Sequence, residues 1–377
     1  MKLSKLYTDF TNSEKTSGII LLLCTLLSLA LSNSAISQNY HHLFHIEIAY
    51  KPVEFWVNDG LMTIFFLLVG LEIEREVYIG ELSDVRKSLL PLLAAIGGMI
   101  VPAFIHFGLN FGTSTQNGFG IPMATDIAFS LAILSLLGKR VPASLKVFLT
   151  ALAIIDDLGA IVVIAIFYSK GFSVLYFSFA MGLFVLMLIL NRLKIYRIWL
   201  YLLIGMVMWY CMYRSGVHAT LTGILLAFAI PFGKGGETSV SYRLQHKLHL
   251  PVAFIILPLF ALVNTAIIIP SGILNDLTAS NSCGIIYGLL VGKPLGIFLF
   301  SFIGISIGWC VLPEGVKKRH LLFTGLIAGV GFTMSIFITL LAFDDQEIIT
   351  ASKVAIIIGS IFSAILGYLG LRFSLKS

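Results

Sequence analysis

Long apolar stretches separated by short polar segments follow one another along almost the whole chain. A helix needs about 20 mostly apolar residues to cross a hydrocarbon core of roughly 30 Å, and most stretches approach this length. Their starts lie near Gly18, Trp56, Leu89, Gly120, Leu145, Val174, Ile198, Val217, Leu250, Gly284, Leu321 and Val354. The pattern predicts an all-α polytopic membrane protein with about twelve transmembrane helices, forming a single membrane domain over residues 1–377.

The composition excludes a water-soluble fold. Of the 377 residues, 58% are hydrophobic and only 12% are charged, whereas soluble domains are about one quarter charged. The net charge of +6 is not accompanied by a basic run with interleaved aromatic residues, so we expect no nucleic-acid partner. The basic residues near the N-terminus followed by the apolar stretch Gly18–Leu31 resemble a signal peptide. The long polar segment before this stretch favours a helix that is retained in the mature protein.

The lysine and arginine residues indicate the orientation. If the N-terminus is cytoplasmic, most of the 25 basic residues fall in segments on the cytoplasmic side. The outer loops then hold only Lys51, Lys170, Arg214 and Lys353, and Lys293 lies within a span. Because cytoplasmic loops carry an excess of basic residues, we predict that both termini are cytoplasmic.

Two adjacent aspartates, Asp156 and Asp157, lie at the midpoint of the fifth span, Leu145 to Tyr168. An ionisable side chain at this depth costs several kcal/mol, so it marks a functional site by default. The alternative is that such charges only tie helices together, which suits these two poorly because adjacent like charges repel. A bound cation explains the pair better.

Other polar residues also fall at membrane depth. In the fourth span, Thr125 and Asp126 follow Pro122, which interrupts the helix and frees backbone carbonyls. In the tenth span, Lys293 needs a buried anion, and the aspartates are the available partners, although a purely structural ion pair is an alternative. Asp59, near the outer end of the second span, is an accessory candidate.

The eleventh span is interrupted in a similar way, by Gly329, Gly331, Thr333 and Ser335. Both interruptions contain the pattern Thr-x-x-x-Phe, starting at Thr125 and at Thr333. Spans three to five and ten to twelve each place the broken helix second and run in opposite directions. This predicts an inverted repeat whose two interrupted helices cross at a binding site, with Gly331 and Thr333 as accessory residues.

Seven motifs occur in chain order over nearly the whole sequence. They are NDGLM from Asn58, FFLLVGLEIERE from Phe65, PMATDIAF from Pro122, IIDDLGA from Ile154, GVHAT from Gly216, GKPLG from Gly292 and GFTMSIF from Gly331. Together they resemble the NhaA family of Na+/H+ antiporters, itself a known example of transporters with inverted repeats. The resemblance implies a secondary active, electrogenic and pH-regulated exchange of cytoplasmic Na+ or Li+ for protons, in a bacterial inner membrane and without a cofactor.

The resemblance also implies roles for the polar residues. Asp157 is expected to be the principal site for Na+ or Li+ and for protons. Asp156 is expected to exchange its proton or to pair with Lys293, while Thr125 and Asp126 belong to the crossed-helix assembly.

A cytoplasmic cluster is implied to control the response to pH. Glu72 and Glu76 fit its pattern, and His218 fits a histidine linked to pH, although a packed helix residue is the alternative for His218. Glu74 stands where relatives usually have lysine, and Gln245 where many have glutamate, which puts the pH set-point in doubt. The acidic run from Glu72 to Asp84 could otherwise be a solvated face.

Two other classes compete with antiport. An intramembrane aspartyl protease needs two aspartates that face each other from different helices, whereas Asp156 and Asp157 are about 100° apart on one helix. A cation channel needs a continuous polar lining, whereas the charges here are confined to the midplane. Besides the lipid bilayer, the expected partner is a second copy of the chain, with the outer segment Ser32–Glu54 and its His41, His42 and His45 as a candidate dimer contact.

Overall fold

A computed structural model of the chain describes residues 2–169, 171–233, 235–269 and 272–375, most of them helical. The α-helices are α1 (Lys2–Ser32), α2 (Ser37–His45), α3 (Val53–Phe55), α4 (Met62–Tyr78), α5 (Val85–Leu109), α6 (Ile127–Leu136), α7 (Ala143–Phe167), α8 (Val174–Arg192), α9 (Ile198–Ser215), α10 (Leu221–Ala229), α11 (Val240–Pro251), α12 (Leu257–Asn264), α13 (Ile273–Thr278), α14 (Ser280–Tyr287), α15 (Lys293–Ile307), α16 (Lys318–Ala328), α17 (Phe332–Ala342) and α18 (Gln346–Ser374). Three π turns (Trp56–Leu61, Val252–Ile256, Gly288–Gly292) and three 3-10 helices (Glu81–Ser83, Gln116–Met123, Gly138–Arg140) connect or interrupt them. Two short antiparallel strands, β1 (Glu47–Ile48) and β2 (Lys51–Pro52), form a hairpin.

The prediction of an all-α polytopic membrane protein is confirmed. Within the described ranges, nine helical stretches are long and apolar enough to cross a membrane, or ten if the bent pair α16 and α17 counts as one span. Of the remaining predicted spans, α9 has 18 residues with several aromatic side chains and an arginine, and α10 has nine residues. The number twelve therefore stays a prediction.

The position predicted for Lys353 is wrong. Lys353 was assigned to an outer loop, but it is buried inside α18, which begins at Gln346 rather than near Val354. Asp345 starts this helix early, because its carboxylate accepts a hydrogen bond from the Glu347 amide at 2.8 Å. Lys170 lies outside the described residues. The orientation of the termini stays a prediction.

The contacts group the chain into two compact units. Unit 1 comprises Met1–Ser34, Asp84–Ala160 and Asn264–Ser377, and unit 2 comprises Ala35–Ser83 and Ile161–Val263. Both sets of spans assigned to the inverted repeat belong to unit 1, α7 as far as Ala160. The repeat itself, like the single domain over residues 1–377, stays a prediction.

Unit 1 is built around a close approach of α5 and α15. A Cβ added to Gly97 would lie 2.2 Å from the Gly296 carbonyl oxygen, and one added to Gly296 would lie 2.0 Å from the Gly97 carbonyl oxygen. The two backbones therefore touch, and no side chain fits between them. Ile297, next to Gly296, enters an apolar core of residues from α5, α6, α7 and α16.

In unit 2, α4 and α10 are likewise packed closely at glycines. A Cβ added to Gly223 would lie 2.2 Å from the Thr63 carbonyl oxygen, and one added to Gly70 would lie 2.6 Å from the Ala227 Cβ. Near the hairpin, the rings of Trp56 and Trp209 stack at 6.1 Å. Small residues thus allow both units to pack helices tightly where lipid tails give little hydrophobic drive.

Two of the π turns precede a proline. The Leu257 amide donates to the Val252 carbonyl and the Lys293 amide to the Gly288 carbonyl, each five residues back. Because a proline ring crowds the carbonyl four residues before it, the helix widens ahead of Pro258 and Pro294. The π turn Gly288–Gly292 immediately precedes Lys293.

We predict that Gly97→Ala lowers the melting temperature of the purified protein, because the new methyl group meets backbone that cannot rotate away. Overpacking of this kind typically costs about 1–3 kcal/mol, more than the roughly 1 kcal/mol that alanine gains over glycine in a helix. Gly108→Ala on the same helix is the matched control, since no described heavy atom beyond its chain neighbours and its own helix backbone lies within 4 Å of its added Cβ. Equal melting temperatures for the two variants would contradict the close approach.

Candidate functional site

The two interrupted helices predicted from the sequence are present, and their breaks are in contact. In the first, the 3-10 helix ends at Met123, residues Ala124 to Asp126 are extended, and α6 begins at Ile127. In the second, α16 ends at Ala328 and α17 begins at Phe332, with a bend of 51° between them. The Asp126 amide donates to the Val330 carbonyl at 2.7 Å, which joins the two breaks through their backbones.

Asp126 caps two helices at once. Its Oδ1 accepts from the Phe129 amide at 3.0 Å, at the start of α6. Its Oδ2 accepts from the Thr333 amide at 3.0 Å, at the start of α17, and also from the Thr333 hydroxyl. A carboxylate is favoured at a helix N-terminus because the unpaired amides there carry partial positive charge. One buried side chain therefore compensates two helix ends.

Two serines close the opposite helix ends in a reciprocal way. The Ser130 hydroxyl of α6 donates to the Ile327 carbonyl at 3.0 Å, near the end of α16. The Ser335 hydroxyl of α17 donates to the Ile121 carbonyl at 2.7 Å, near the end of the 3-10 helix. Each serine is the fourth residue of its half-helix, so Ser130 and Ser335 occupy equivalent positions in α6 and α17.

Gly331 is required by this contact. A Cβ there would lie 2.1 Å from the Ser335 hydroxyl oxygen and 3.1 Å from the Ala124 carbonyl oxygen. Gly329 is equally restricted, since its Cβ would lie 2.4 Å from the Leu289 carbonyl oxygen. Gly331 thus permits the extended segment of the first break to approach, and Gly329 permits the approach of the π turn Gly288–Gly292.

Lys293 and Asp156 form a fully buried ion pair beside the crossing. The Lys293 Nζ lies 3.0 Å from Asp156 Oδ2, and both side chains are 0% exposed. The same Nζ donates to the Met123 carbonyl, where the 3-10 helix ends. The lysine therefore compensates both a carboxylate and the negative end of a helix.

Thr125 connects the ion pair to the second break. Its hydroxyl lies 2.7 Å from Asp156 Oδ2 and 3.1 Å from the Ala328 carbonyl oxygen, with both acceptors placed to receive its proton. Asp156 Oδ1 is buried and accepts no hydrogen bond from the described part of the chain. A carboxylate oxygen is thus left over once the lysine and threonine are satisfied.

Asp157 is also fully buried, one residue further along α7. Its charge attracts that of Lys293, although Lys293 is bonded to Asp156. Lys293 therefore interacts with both carboxylates, and these three groups together carry one net negative charge when both aspartates are ionised. Carboxylate, hydroxyl and carbonyl oxygens are the ligands that hard cations prefer. The arrangement suits a small monovalent cation or a proton.

The other candidates belong to unit 2. Asp59 lies half-buried in the first π turn, and His218 lies half-buried with its Nε2 2.9 Å from the Tyr168 carbonyl oxygen. Glu72 and Glu76 of α4 and Gln245 of α11 are half-buried. The two helices pack together, with the Arg75 guanidinium 5.1 Å from the centre of the Tyr242 ring.

The reading of the acidic run as a solvated face is wrong for Glu74. Its side chain is 5% exposed, and its Oε2 has no hydrogen-bond partner among the residues that the structure describes. The reason is helical periodicity, because Gly70 and Leu71, four and three residues earlier, are buried on the same face of α4. Glu74 is therefore an interior carboxylate.

Sequence reasoning also missed a buried polar network in unit 1. His106 Nε2 lies 3.1 Å from Asn281 Oδ1, and the Asn281 amide donates to the Ser352 hydroxyl at 2.8 Å. In the sequence His106 is isolated among apolar neighbours, whereas Asn281 and Ser352 lie in short polar stretches. One local signal is the spacing of Asn281 and Gly284, which are three residues apart and so lie on the same face of a helix. Gly284 packs against His106 on that face.

Interrupted membrane helices that meet at a buried charged group define a class of protein, the secondary transporters with discontinuous helices. The chain belongs to the Na+/H+ antiporter 1 family, whose sequence profile matches residues 8–371.

Its relatives match over full length. A Na(+)/H(+) antiporter NhaA of Flavobacterium psychrophilum is 57% identical over 377 residues, covering 100% of this chain and 98% of the relative. NhaA of Dechloromonas aromatica is 57% identical over 376 residues, covering 99% and 97%. NhaA of Citrobacter koseri is 44% identical over 380 residues, covering 97% and 98%.

We predict that removing one partner of the buried pair destabilises the protein and that removing both restores stability. Lys293→Met leaves Asp156 uncompensated, which typically costs about 3–5 kcal/mol, whereas replacing both partners is often close to neutral. Lys293→Met, Asp156→Asn and the double variant form a double-mutant cycle measured by thermal unfolding in detergent. Additive effects of the two changes would show that the pair contributes no coupling energy.

Proposed function

We propose that the chain is a secondary active Na+/H+ antiporter that moves Na+ or Li+ out of the cytoplasm in exchange for protons. The observation that carries the proposal is the group formed by Asp156, Asp157, Lys293 and Thr125 at the contact between two interrupted helices. The full-length relatives named Na(+)/H(+) antiporters support the same activity. They give no support to a protease or a channel, and this chain is a transporter rather than an enzyme.

The exchange follows from the charge of the group. With both aspartates ionised, Lys293, Asp156 and Asp157 together carry one net negative charge, and either Na+ or a proton at Asp157 neutralises it. Na+ and a proton cannot both bind tightly at the same time, because the second positive charge would be buried without a compensating negative charge. Na+ and protons therefore compete for Asp157, and exposing the group alternately to each side turns competition into exchange.

A second proton makes the exchange electrogenic. If Asp156 also takes up a proton while one Na+ leaves, one net charge crosses the membrane per cycle. That charge is worth about 2.3 kcal/mol per 100 mV of membrane potential. The potential then drives Na+ extrusion even without a pH gradient.

The remaining roles are part of the proposal. Asp126, Thr333 and Gly331 hold the two breaks together and keep Thr125 against Asp156. Glu72, Glu76, His218 and Gln245 belong to the pH response. The protein resides in a bacterial inner membrane with both termini in the cytoplasm, and the outer segment Ser32–Glu54 supplies a homodimer contact.

We predict that Asp157→Asn abolishes transport while Asp156→Asn weakens it. Asparagine has almost the same volume as aspartate, so packing survives while the charge and the titratable proton of Asp157 are lost. Asp156→Asn leaves Asp157 able to bind Na+ or a proton, and exchange then moves fewer protons per ion. The measurement is Na+-dependent dequenching of a pH dye in proteoliposomes, with and without a valinomycin-clamped potential.

Both variants are compared with the wild-type protein after each is shown to be monodisperse. Robust exchange by Asp157→Asn would refute the assignment of the ion site. Unaltered potential dependence in Asp156→Asn would refute its role as the second proton carrier.

We also predict that the double change Glu74→Lys with Gln245→Glu shifts the pH at which exchange switches on. The physical reason is that a buried carboxylate is replaced by an amine while an acid is restored on α11. Apparent Na+ affinity at saturating pH should change little. Glu237→Lys is the control, because it reverses the charge of an exposed residue, and a pH profile that moves equally in both would exclude a specific role for Glu74 and Gln245.

A further inference from the structure

An apolar groove lies on the outer surface of unit 1, between α1, α6 and α18. Its volume is about 230 Å³. Leu22 and Leu26 of α1 form one wall and Ile361 and Ala364 of α18 another, and Leu22, Leu26 and Ile361 are each about half exposed. The helices that carry these residues are long and apolar enough to cross a membrane. The open side of the groove therefore faces lipid.

The groove offers nothing to a polar ligand along its length. Its two hydroxyl groups are bonded to the protein backbone, since Thr25 donates to the Leu21 carbonyl at 2.9 Å and Ser360 accepts from the Phe332 amide at 3.2 Å. The exception is at one end, where the exposed side chain of Lys15 contributes to the lining. A matching ligand has a long apolar body and an anionic group at one end.

We propose that the groove is a binding site for a diacyl phospholipid with an anionic headgroup. One acyl chain fills the groove, and the phosphate lies beside Lys15. From Lys15 to Leu29 the groove follows α1 for roughly 21 Å at 1.5 Å per residue, which exceeds half of a hydrocarbon core of about 30 Å. This is the depth that one acyl chain reaches from its headgroup.

The base of the groove is the back of the crossed helices. Phe129 and Phe332 line it, with their ring centres 5.1 Å apart in an edge-to-face contact. The Phe129 amide is the group that Asp126 caps, and Phe332 begins α17. An acyl chain in the groove thus packs directly against Phe129 and Phe332, which lie beside the residues that hold the two breaks together.

The test uses the full chain in lipid nanodiscs with a photoactivatable phosphatidylglycerol that carries a diazirine in the middle of one acyl chain. Peptide mapping by mass spectrometry then locates the adducts. We expect enrichment on the α1 and α18 segments that line the groove, and stronger labelling than with phosphatidylcholine of the same chains. Labelling spread evenly over all lipid-facing helices would overturn the proposal. An absence of adducts in the wild-type groove, because a second copy of the chain covers it, would also overturn the proposal.

Two variants make the test specific. Ala364→Phe fills the groove and should reduce these adducts several-fold, while Ile365→Phe, on the neighbouring exposed face of α18, should leave them unchanged. Leu22→Trp fills the groove from α1 and gives the same readout if Ala364→Phe is not monodisperse. Unchanged adducts in a monodisperse groove-filling variant would refute the site.

The headgroup is tested separately. Lys15→Gln should remove the preference for phosphatidylglycerol over phosphatidylcholine, whereas Lys247→Gln, at an exposed position of unit 2, should keep it. A free fatty acid probe that labels the groove as well as phosphatidylglycerol does would overturn the assignment of a phospholipid. These readouts do not involve transport, so their failure is distinguishable from failure of the proposed antiport.

Discussion

A lysine ammonium and a carboxylate, both removed from solvent, are the constraint around which unit 1 is arranged. Either charge alone would cost several kcal/mol at membrane depth, and here Lys293 and Asp156 compensate each other. Their contact requires three elements to be positioned together: the π turn before Lys293, the middle of α7, and the extended segment that presents Thr125 and the Met123 carbonyl. The touching backbones of α5 and α15 fix the first of these.

The interrupted helices solve a second electrostatic problem. Breaking a helix inside a membrane exposes amides at one new end and carbonyls at the other, and no water is present to satisfy them. Asp126 accepts from the amides at the starts of both α6 and α17, while Ser130, Ser335 and Lys293 donate to the carbonyls at the opposing ends. Most of the amides and carbonyls exposed at the two breaks are thereby hydrogen-bonded within the protein, and the apolar surface around them can face lipid.

The residues of the candidate site could be predicted because ionisable side chains are conspicuous within apolar spans. Asp156, Asp126 and Lys293 are predicted on that basis, and Thr125 and Thr333 from the interruptions of their spans. These five residues form connected hydrogen bonds and an ion pair in the folded chain. Partners that are backbone atoms, such as the Met123 and Ala328 carbonyls, have no signature in the sequence. Ser130 was overlooked because a single serine is common in membrane helices and signifies nothing until its acceptor is known.

Elsewhere the prediction failed where a charged residue was taken as a sign of solvent. Glu74 and Lys353 were assigned to exposed segments, and both are buried. In each case the local sequence is polar enough to suggest a helix end, whereas the helix extends through it. Whether such a residue is buried depends on its packing against neighbouring helices, which are distant in the sequence.

The shared hydrogen bonds of the two breaks also determine how this region can move. Asp126, Ser130, Ser335 and Thr125 each bond to the opposite interrupted helix, so a displacement of one helix pulls on the other through several bonds at once. At about 1 kcal/mol net for each bond, separating the breaks would cost several kcal/mol. Small thermal displacements therefore carry both breaks together as one stiff body, and the neighbourhood of Asp156 moves with little internal distortion.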